Sequence, residues 1–542
     1  MGKMYKDPVY GYIEVDDKNQ RIIDTASFQR LRDIQQTSYT PLYASSLHNR
    51  FVHSIGVYYL GSIVSETILK STSFKSIEKD VPNADKYIEV FKSACLLHDI
   101  GHAPFSHTAE DFYIKDQNMD ELHRRLAEVC GDSDILQEIK EKGYRAAPHE
   151  LMSAIIGLKE YPEVVDEEYR SFFVRCITGY LYVSRDTGVQ EYSFQNCLIS
   201  LLNSNLIDVD RLDYLSRDSL MTGFDTVRID YERLLKSIRL YKNETGEYLL
   251  CYYKSALSVI ENAVYAHDNE KKWIQTHPTV IYEGYLLQQI VKKIITEEFD
   301  SEFIPEETLS LKGVKTKNNR IIRLFSDSDI FFLMKNLEME NSCVKEFFDR
   351  KQRKHPLWKS EAEFNAVFGK DADEITSELV KVLDMLRFLG LPQEINEVTL
   401  AAAEKDIASI KVSDADDALL IDDSKKMLLA QEKNVEWMKI WKKFADEEKI
   451  PFKFLFINHK AFTSAFGKSD LGNTKILFPQ ITEPCVFEEV STVLSISKQG
   501  KAQAFFFVYY ERGTSGQDIN IEKLAVSLAR FASEERTRKR FK

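Results

Sequence analysis

One stretch, ACLLHDIGHAPFSH (Ala94–His107), constrains this chain more than any other. An apolar run at helical spacing, DKYIEVFKSACLLHDI, ends in His98 and Asp99, and His102 and His107 follow closely. A charged carboxylate at the end of a buried run is costly unless it meets a partner or a metal. A helix-end ion pair would satisfy a lone His-Asp dipeptide, so what matters is whether other segments supply further ligands. HNRFVHSIGV offers His53, 45 residues before His98. NLIDVDRLDY offers Asp208, Asp210 and Asp213, and Asp210 lies in an apolar helical pattern with Leu206, Val209 and Leu212. His53, His98, Asp99 and Asp210 together make a mixed imidazole and carboxylate shell drawn from separate helices. It suits a divalent metal (Mn, Fe, Zn, Ni or Mg), with imidazole favouring the transition metals over Mg.

At 542 residues the chain exceeds one ordinary core, so two or three domains are expected. A net charge of −13 argues against a surface given over to nucleic acid, though a local basic cleft stays open. No apolar run approaches the ~20 residues that span a bilayer, and the opening MGKMYKDPVYGY lacks the apolar region of a signal peptide. Seven scattered cysteines without a CxxC read as reduced thiols, which makes the cytoplasm the expected location. Helical periodicity runs through 51–70, 85–100, 196–221 and most of 225–300, including YERLLKSIRLYKN (231–243). NETGEYLLCYY (243–253) reads as a hairpin-like interruption. Pro305 and LKGVKTKNNR (311–320) mark one edge, and the acidic block SDADDALLIDDSKK (413–426) a second. After about 430, FKFLFIN, KILFP, VSTVLSIS and AFFFVYYE read as strands before a closing helix. The expectation is a mainly α protein: a helical core over 1–300, a helical extension over 301–430 and a small α/β module over 431–542.

The order H…HD…D resembles the HD phosphohydrolase superfamily. The resemblance is closer to the deoxynucleoside triphosphate triphosphohydrolases. It is carried by KDPVYGYIEV (6–15), RIIDTASFQRLRDIQQ (21–36), HNRFVHSIGVYYL (48–60), LLHDIGHAPFSH (96–107), HE (149–150) and DVDRLDYLSRDSLMTG (208–223). It covers about the first 300 residues, with no sterile-alpha-motif domain expected before it. It implies an HD-domain fold, His53, His98, Asp99 and Asp210 as metal ligands, and His102, His107, Glu110 and His149 acting near the α-phosphate as phosphate contacts and proton relays. A histidine oriented by a carboxylate is the usual acid–base arrangement. The resemblance further implies phosphate contacts at Arg50, Arg211 and Tyr214, and a sugar 3′-hydroxyl held by Asp218 and Gln36. Asp213 and Arg217 read as a local helix ion pair. The apolar residue that crowds the ribose is Thr37 here, and Gln275 or His277 stands about where the sugar-closing tyrosine is expected.

The activity implied is metal-dependent hydrolysis of dNTPs to deoxynucleoside and inorganic triphosphate by a homo-oligomer, a dimer or tetramer. Asp24, Gln29 and Arg32 match positions that read guanine at a regulatory nucleotide site in relatives. The competing reading makes Asp24 a helix N-cap. Two other functions use the same ligand set: an HD phosphodiesterase or nuclease acting on cyclic nucleotides or single strands, and a non-catalytic nucleotide sensor.

Overall fold

The computed structural model describes residues 2–112, 119–132, 134–183, 189–204, 207–299, 303–337, 342–369 and, beyond these, chiefly 394–413, 421–460, 464–467, 469–481, 483–491, 504–512 and 519–540. The chain is mainly α. It divides into two compact units that interleave in sequence: 1–275 with 283–344 and 464–499, and 276–282 with 345–463 and 500–542.

The first unit is built around the Arg50–Leu69 helix, which packs on Ala84–Leu97 and Val209–Thr222. Polar side chains cap the first and the last of these three. Asn49 accepts from the Val52 amide at 3.2 Å, and Asp208 accepts from the Arg211 amide at 2.7 Å. Val57, Leu60, Val64, Phe91, Leu96, Leu97 and Leu212 close the space between them with almost no exposure. Two glycines permit close approaches that the site requires. A Cβ on Gly56 would collide with the Asp213 carboxylate, and one on Gly101 with the Ser153 backbone. Pro148–Glu160 packs on the Met119–Cys130 and Arg170–Thr178 helices, and Lys3–Asp7 pairs antiparallel with Gly11–Val15.

The structure departs from the expectations above in four places, three in the type or extent of an element and one in where a strand pairs. YERLLKSIRLYKN is helical only over Tyr231–Lys236, and Ile238–Lys242 is a strand. Its side chains bury alternately against Tyr248–Tyr253, with Leu240 opposite Leu250, so tertiary pairing overrides helical spacing there. The 196–221 pattern is two helices, Val189–Leu202 and Val209–Thr222, because Asp208 caps the second. Lys475–Leu477 is a strand that pairs antiparallel with Cys485–Val486, but on its other edge it lies parallel to Tyr248–Tyr253, so it joins the first unit's sheet. Within VSTVLSIS, Val490 closes the short helix Phe487–Val490, and most of the remainder lies outside the described residues.

The second unit holds an antiparallel sheet in the order His355–Pro356, Ala504–Tyr510, Lys453–Lys460, Glu394–Asn396. Trp358, Trp437, Trp441, Phe454, Phe456 and Phe506 form its aromatic core. No helix among the described residues is long and apolar enough to cross a membrane.

Candidate functional site

His53 sits one turn into the Arg50–Leu69 helix, and His98 is the residue that ends Ala84–Leu97. The His98 Nδ1–H donates to the Cys95 carbonyl at 2.9 Å, and the His53 Nδ1–H donates to Asp213 Oδ2 at 2.8 Å. Both rings therefore turn an Nε2 lone pair inward, and the two Nε2 atoms stand 3.2 Å apart. Two lone pairs at that distance repel unless a proton or a metal cation lies between them. Asp210 Oδ1 is 2.9 Å from His53 Nε2 and 3.6 Å from His98 Nε2. Asp99 contributes Oδ2 at 3.5 Å from His53 and Oδ1 at 3.5 Å from His98. His53, His98 and Asp99 offer ligand atoms within 4.8 Å of one another and could hold a metal ion. Burial alone would push the His53 imidazole down, but its hydrogen bonds to Asp210 and Asp213 carry it up to about 10. The pocket thus demands positive charge. The donor set fits a divalent metal, and three of the four side chains are at most 9% exposed while Asp210, at 40%, forms the open edge.

Behind this shell runs a chain of charge-assisted bonds that extends beyond the local Asp213–Arg217 pair expected from the helix spacing. Asp213 does bond Arg217, through Nε and Nη2, both at 2.9 Å, but it also holds His53. Arg217 continues to Asp7 at 2.9 Å. Asp213 is pushed up by burial and pulled down further by Arg217 and His53, to about 2, so it stays a carboxylate and fixes the His53 tautomer. The missed signal was its spacing. Asp213 lies three residues after Asp210 and shares its helix face.

A second group of imidazoles adjoins the first. His102 was expected one helical turn beyond His98, but the helix ends before Gly101 and His102 enters from a turn, its amide bonded to the Asp99 carbonyl at 3.1 Å. Its Nε2 is 3.2 Å from Asp99 Oδ1, and its ring stacks on His149 at 4.1 Å. His149 lies at the start of Pro148–Glu160, and Glu110 lies in the Ser106–Phe112 turn. Glu110 accepts from His149 Nδ1 at 2.5 Å and from His107 Nδ1 at 3.1 Å. Burial lowers His149, but Glu110 more than restores it, so its pKa lies above the usual histidine value. His102 is held well below that value by burial and by Arg50, and stays neutral.

Arg50 donates to Asp99 Oδ2 at 2.7 Å and to Ser106 Oγ at 3.0 Å, which puts it at the rim of the candidate metal shell. The Arg211 guanidinium reaches the Ser204 carbonyl at 3.5 Å, and it opposes the burial that pushes the Tyr214 hydroxyl up. His48 lies between Gln36 and Asp218. Its carbonyl takes the Gln36 amide at 3.0 Å and its Nε2 meets Asp218 Oδ1 at 2.6 Å. The Gln36 Oε1 is buried with no hydrogen-bond partner among the described residues. Asp218 also hydrogen-bonds Glu270, a residue the sequence reading did not single out. Burial raises both carboxyls: Asp218 goes to about 7, with Asp213 adding to the rise and His53 and the Glu270 hydrogen bond opposing it, and Asp218 pushes Glu270 up further.

Asp24, Gln29 and Arg32 are apart from these groups. Asp24 is not an N-cap. It ends the Asp17–Ile23 helix, and the next helix is capped by Thr25, whose hydroxyl accepts from the Phe28 amide at 3.4 Å. Thr25 takes that place because it alone has the extended backbone an N-cap needs. Gln29 bonds the Ile23 carbonyl and receives Arg32 Nε at 2.8 Å, and Arg32 covers the Phe51 ring at 3.5 Å.

Residues 50–160 match the HD-domain family model. The chain carries an HD domain. Of the candidate ligands, His53 and the pair His98–Asp99 lie inside that segment, while Asp210 lies beyond it. An uncharacterized protein of Methanocaldococcus jannaschii is 27% identical over 341 residues, 62% of this chain and 58% of that protein. The deoxynucleoside triphosphate triphosphohydrolase SAMHD1 of Gallus gallus is 35% identical over 246 residues, 44% of this chain and 37% of that protein. Each match spans less than two thirds of the relative's length. A phosphohydrolase of Bacteroides thetaiotaomicron has the same fold, with a TM-score of 0.55 at 18% identity over 94% of this chain and all of that one.

Proposed function

We propose that this HD-domain protein is a metal-dependent hydrolase that cleaves dNTPs to deoxynucleoside and inorganic triphosphate. One observation carries the reading: His102 joins two clusters, touching Asp99 of the cation shell on one side and stacking on the Glu110-oriented His149 on the other. The similarity to SAMHD1 supports the choice of substrate.

His53, His98, Asp99 and Asp210 would hold the metal. Bound there, a divalent ion lowers the pKa of water and stabilises charge on a phosphate. The chain's own groups do the rest. Arg50, Arg211 and Tyr214 bind phosphate oxygens, and neutral His102 lies beside the phosphate with its Nε2 facing Asp99. Hydrolysis breaks the bond between the α-phosphorus and the 5′-oxygen, and the departing oxygen needs a proton. His149, kept as the imidazolium by Glu110, gives it, and His107 shares the same carboxylate. Gln36 and Asp218 take the sugar 3′-hydroxyl, with Thr37 as the weak point in discrimination against ribose. The protein works as a homo-oligomer, and Asp24, Gln29 and Arg32 form a regulatory nucleotide site.

The test is to incubate the purified protein and a divalent metal with each dNTP, each NTP and a cyclic dinucleotide, and to separate the products by chromatography. Deoxynucleoside plus inorganic triphosphate is expected. Cleavage of the cyclic dinucleotide alone would replace this reading with a phosphodiesterase, and binding without any product would replace it with a sensor.

A further inference from the structure

The turn that leads into His107 is held in a backbone conformation that its own residues disfavour. Phe105 and Ser106 have φ of +59° and +51°, in the left-handed region that a bulky residue rarely enters. Two such residues in succession persist only where the surroundings over-determine them. The surroundings come from far along the chain. Asp327 opens the Asp327–Asn336 helix, is 3% exposed, and turns one carboxylate oxygen to each of two distant backbone amides. Oδ1 accepts from Phe105 N at 2.6 Å, and Oδ2 accepts from Gln35 N at 2.9 Å. The two loops are also joined directly, since Ser106 Oγ donates to the Gln35 carbonyl at 2.5 Å and receives Arg50 Nε. Around this clamp, Arg30 ties the Phe325 carbonyl to the Ile100 carbonyl at 3.0 and 2.8 Å, and the Phe331 ring packs on Phe105.

We infer that Asp327 is a positioning residue: one carboxylate fixes, at the same time, the loop that carries Gln36 and the strained turn that carries Ser106 and His107. Its catalytic consequence rests on the hydrolase reading above. The group does no chemistry itself. Its two oxygens set the spacing between the sugar side of the site and the imidazole side, and a displacement of about 1 Å there can cost on the order of 100-fold in rate.

The clamp needs both oxygens as acceptors, so it is strongest when Asp327 is ionised. Burial pushes its carboxyl up, the Gln35 and Phe105 amides pull it down, Asp33 raises it and Arg30 lowers it, which leaves it at about 7. Asp329 is the other carboxyl of the same helical turn. Asp327→Asn mimics the protonated acid, with one arm of the clamp facing a donor.

Amide hydrogen exchange on the full chain tests the clamp without any substrate. The Asp327→Asn protein should exchange the Phe105 and Gln35 amides at least roughly 10-fold faster than wild type, with metal content unchanged and exchange in Ala84–Leu97 unaltered. The dNTP assay then reads function: kcat/KM should fall roughly 10–100-fold, as for other residues that orient a site. The ratio of wild-type to Asp327→Asn activity should be greatest above pH 8 and approach one below pH ~6, because the wild-type acid then resembles the amide. A ratio independent of pH, unchanged exchange at both amides, or exchange that rises equally across the whole chain overturns the inference. A wild type that leaves dNTPs intact overturns the hydrolase reading instead, and the exchange data still judge the clamp.

Discussion

Two groups of imidazoles meet at Asp99, and they are built differently. In one, each ring nitrogen pointing away from the pocket is tied to a fixed acceptor, Asp213 for His53 and the Cys95 carbonyl for His98. That group is nearly dry, and its geometry is settled before any ligand arrives. In the other, one carboxylate, Glu110, serves both His149 and His107, and His107 is 62% exposed. The first arrangement suits a group that must not move or change charge. The second suits groups that exchange protons and meet a substrate. The contrast lies in what backs each ring, because both groups are made of the same residue types.

The contrast breaks most readily at the first group. Asp210→Ala and His98→Ala each remove a proposed ligand, and each should abolish both metal binding and hydrolysis. The loss should exceed the ~100-fold typical of residues behind a metal shell. Metal analysis and turnover on the same preparations decide it. A protein that keeps its metal and rate without Asp210 would leave the shell as a buried ion-pair cluster.

His149→Gln should separate the two groups. It removes the proposed proton donor and leaves the shell alone, so metal content should stay at the wild-type level while kcat falls about 10²–10⁴-fold. The sign of the pH effect follows from the raised pKa. An imidazolium that donates a proton is present below that value and lost as pH rises through it, so wild-type kcat should decline on the alkaline side and the variant should lack that decline.

How much of this was legible in the sequence depended on distance along the chain. His53, His98, Asp99 and Asp210 stood out because charge interrupts an apolar helical pattern, which is a local signal. Gly56 and Gly101 are understandable only with the structure, where Asp213 and the Ser153 backbone occupy the space of a side chain. Asp327 had no local signal at all, since its partners at Gln35 and Phe105 lie more than 200 residues away. Helix periodicity placed most of the core but misread Ile238–Lys242. A five-residue apolar alternation fits both periods until a neighbouring strand chooses between them.

Asp213→Asn sharpens the comparison from behind. The amide can still meet His53 or Arg217, but it cannot hold both as a carboxylate does, so the His53 tautomer is no longer enforced. Metal affinity should weaken roughly 10–100-fold, less than for loss of a ligand, and excess metal should restore most of the rate. The same substitution at a purely structural ion pair would lower the melting temperature and leave metal titration unchanged.

The smallest effect is expected at the surface. Asp24 is 60% exposed, accepts from Gln20 Nε2 at 2.8 Å and stands 3.8 Å from Lys3, contacts that contribute little in water. Because Thr25 holds the N-cap, Asp24→Ala should shift stability by less than ~0.5 kcal/mol, whereas Thr25→Ala should cost ~0.5–2 kcal/mol. If Asp24, Gln29 and Arg32 read a guanine base, Asp24→Ala should nonetheless lose activation by a trace of guanine nucleotide, seen as a lag or a sigmoidal rate curve with a single dNTP. It should keep its metal, because position 24 supplies no ligand. A ligand can shift an equilibrium only by its differential affinity for the two states, so activation lost at unchanged stability would place the effect in nucleotide recognition. A wild type whose rate and oligomeric state ignore every nucleotide would make Asp24 a plain helix-end residue and remove the regulatory site from the proposal.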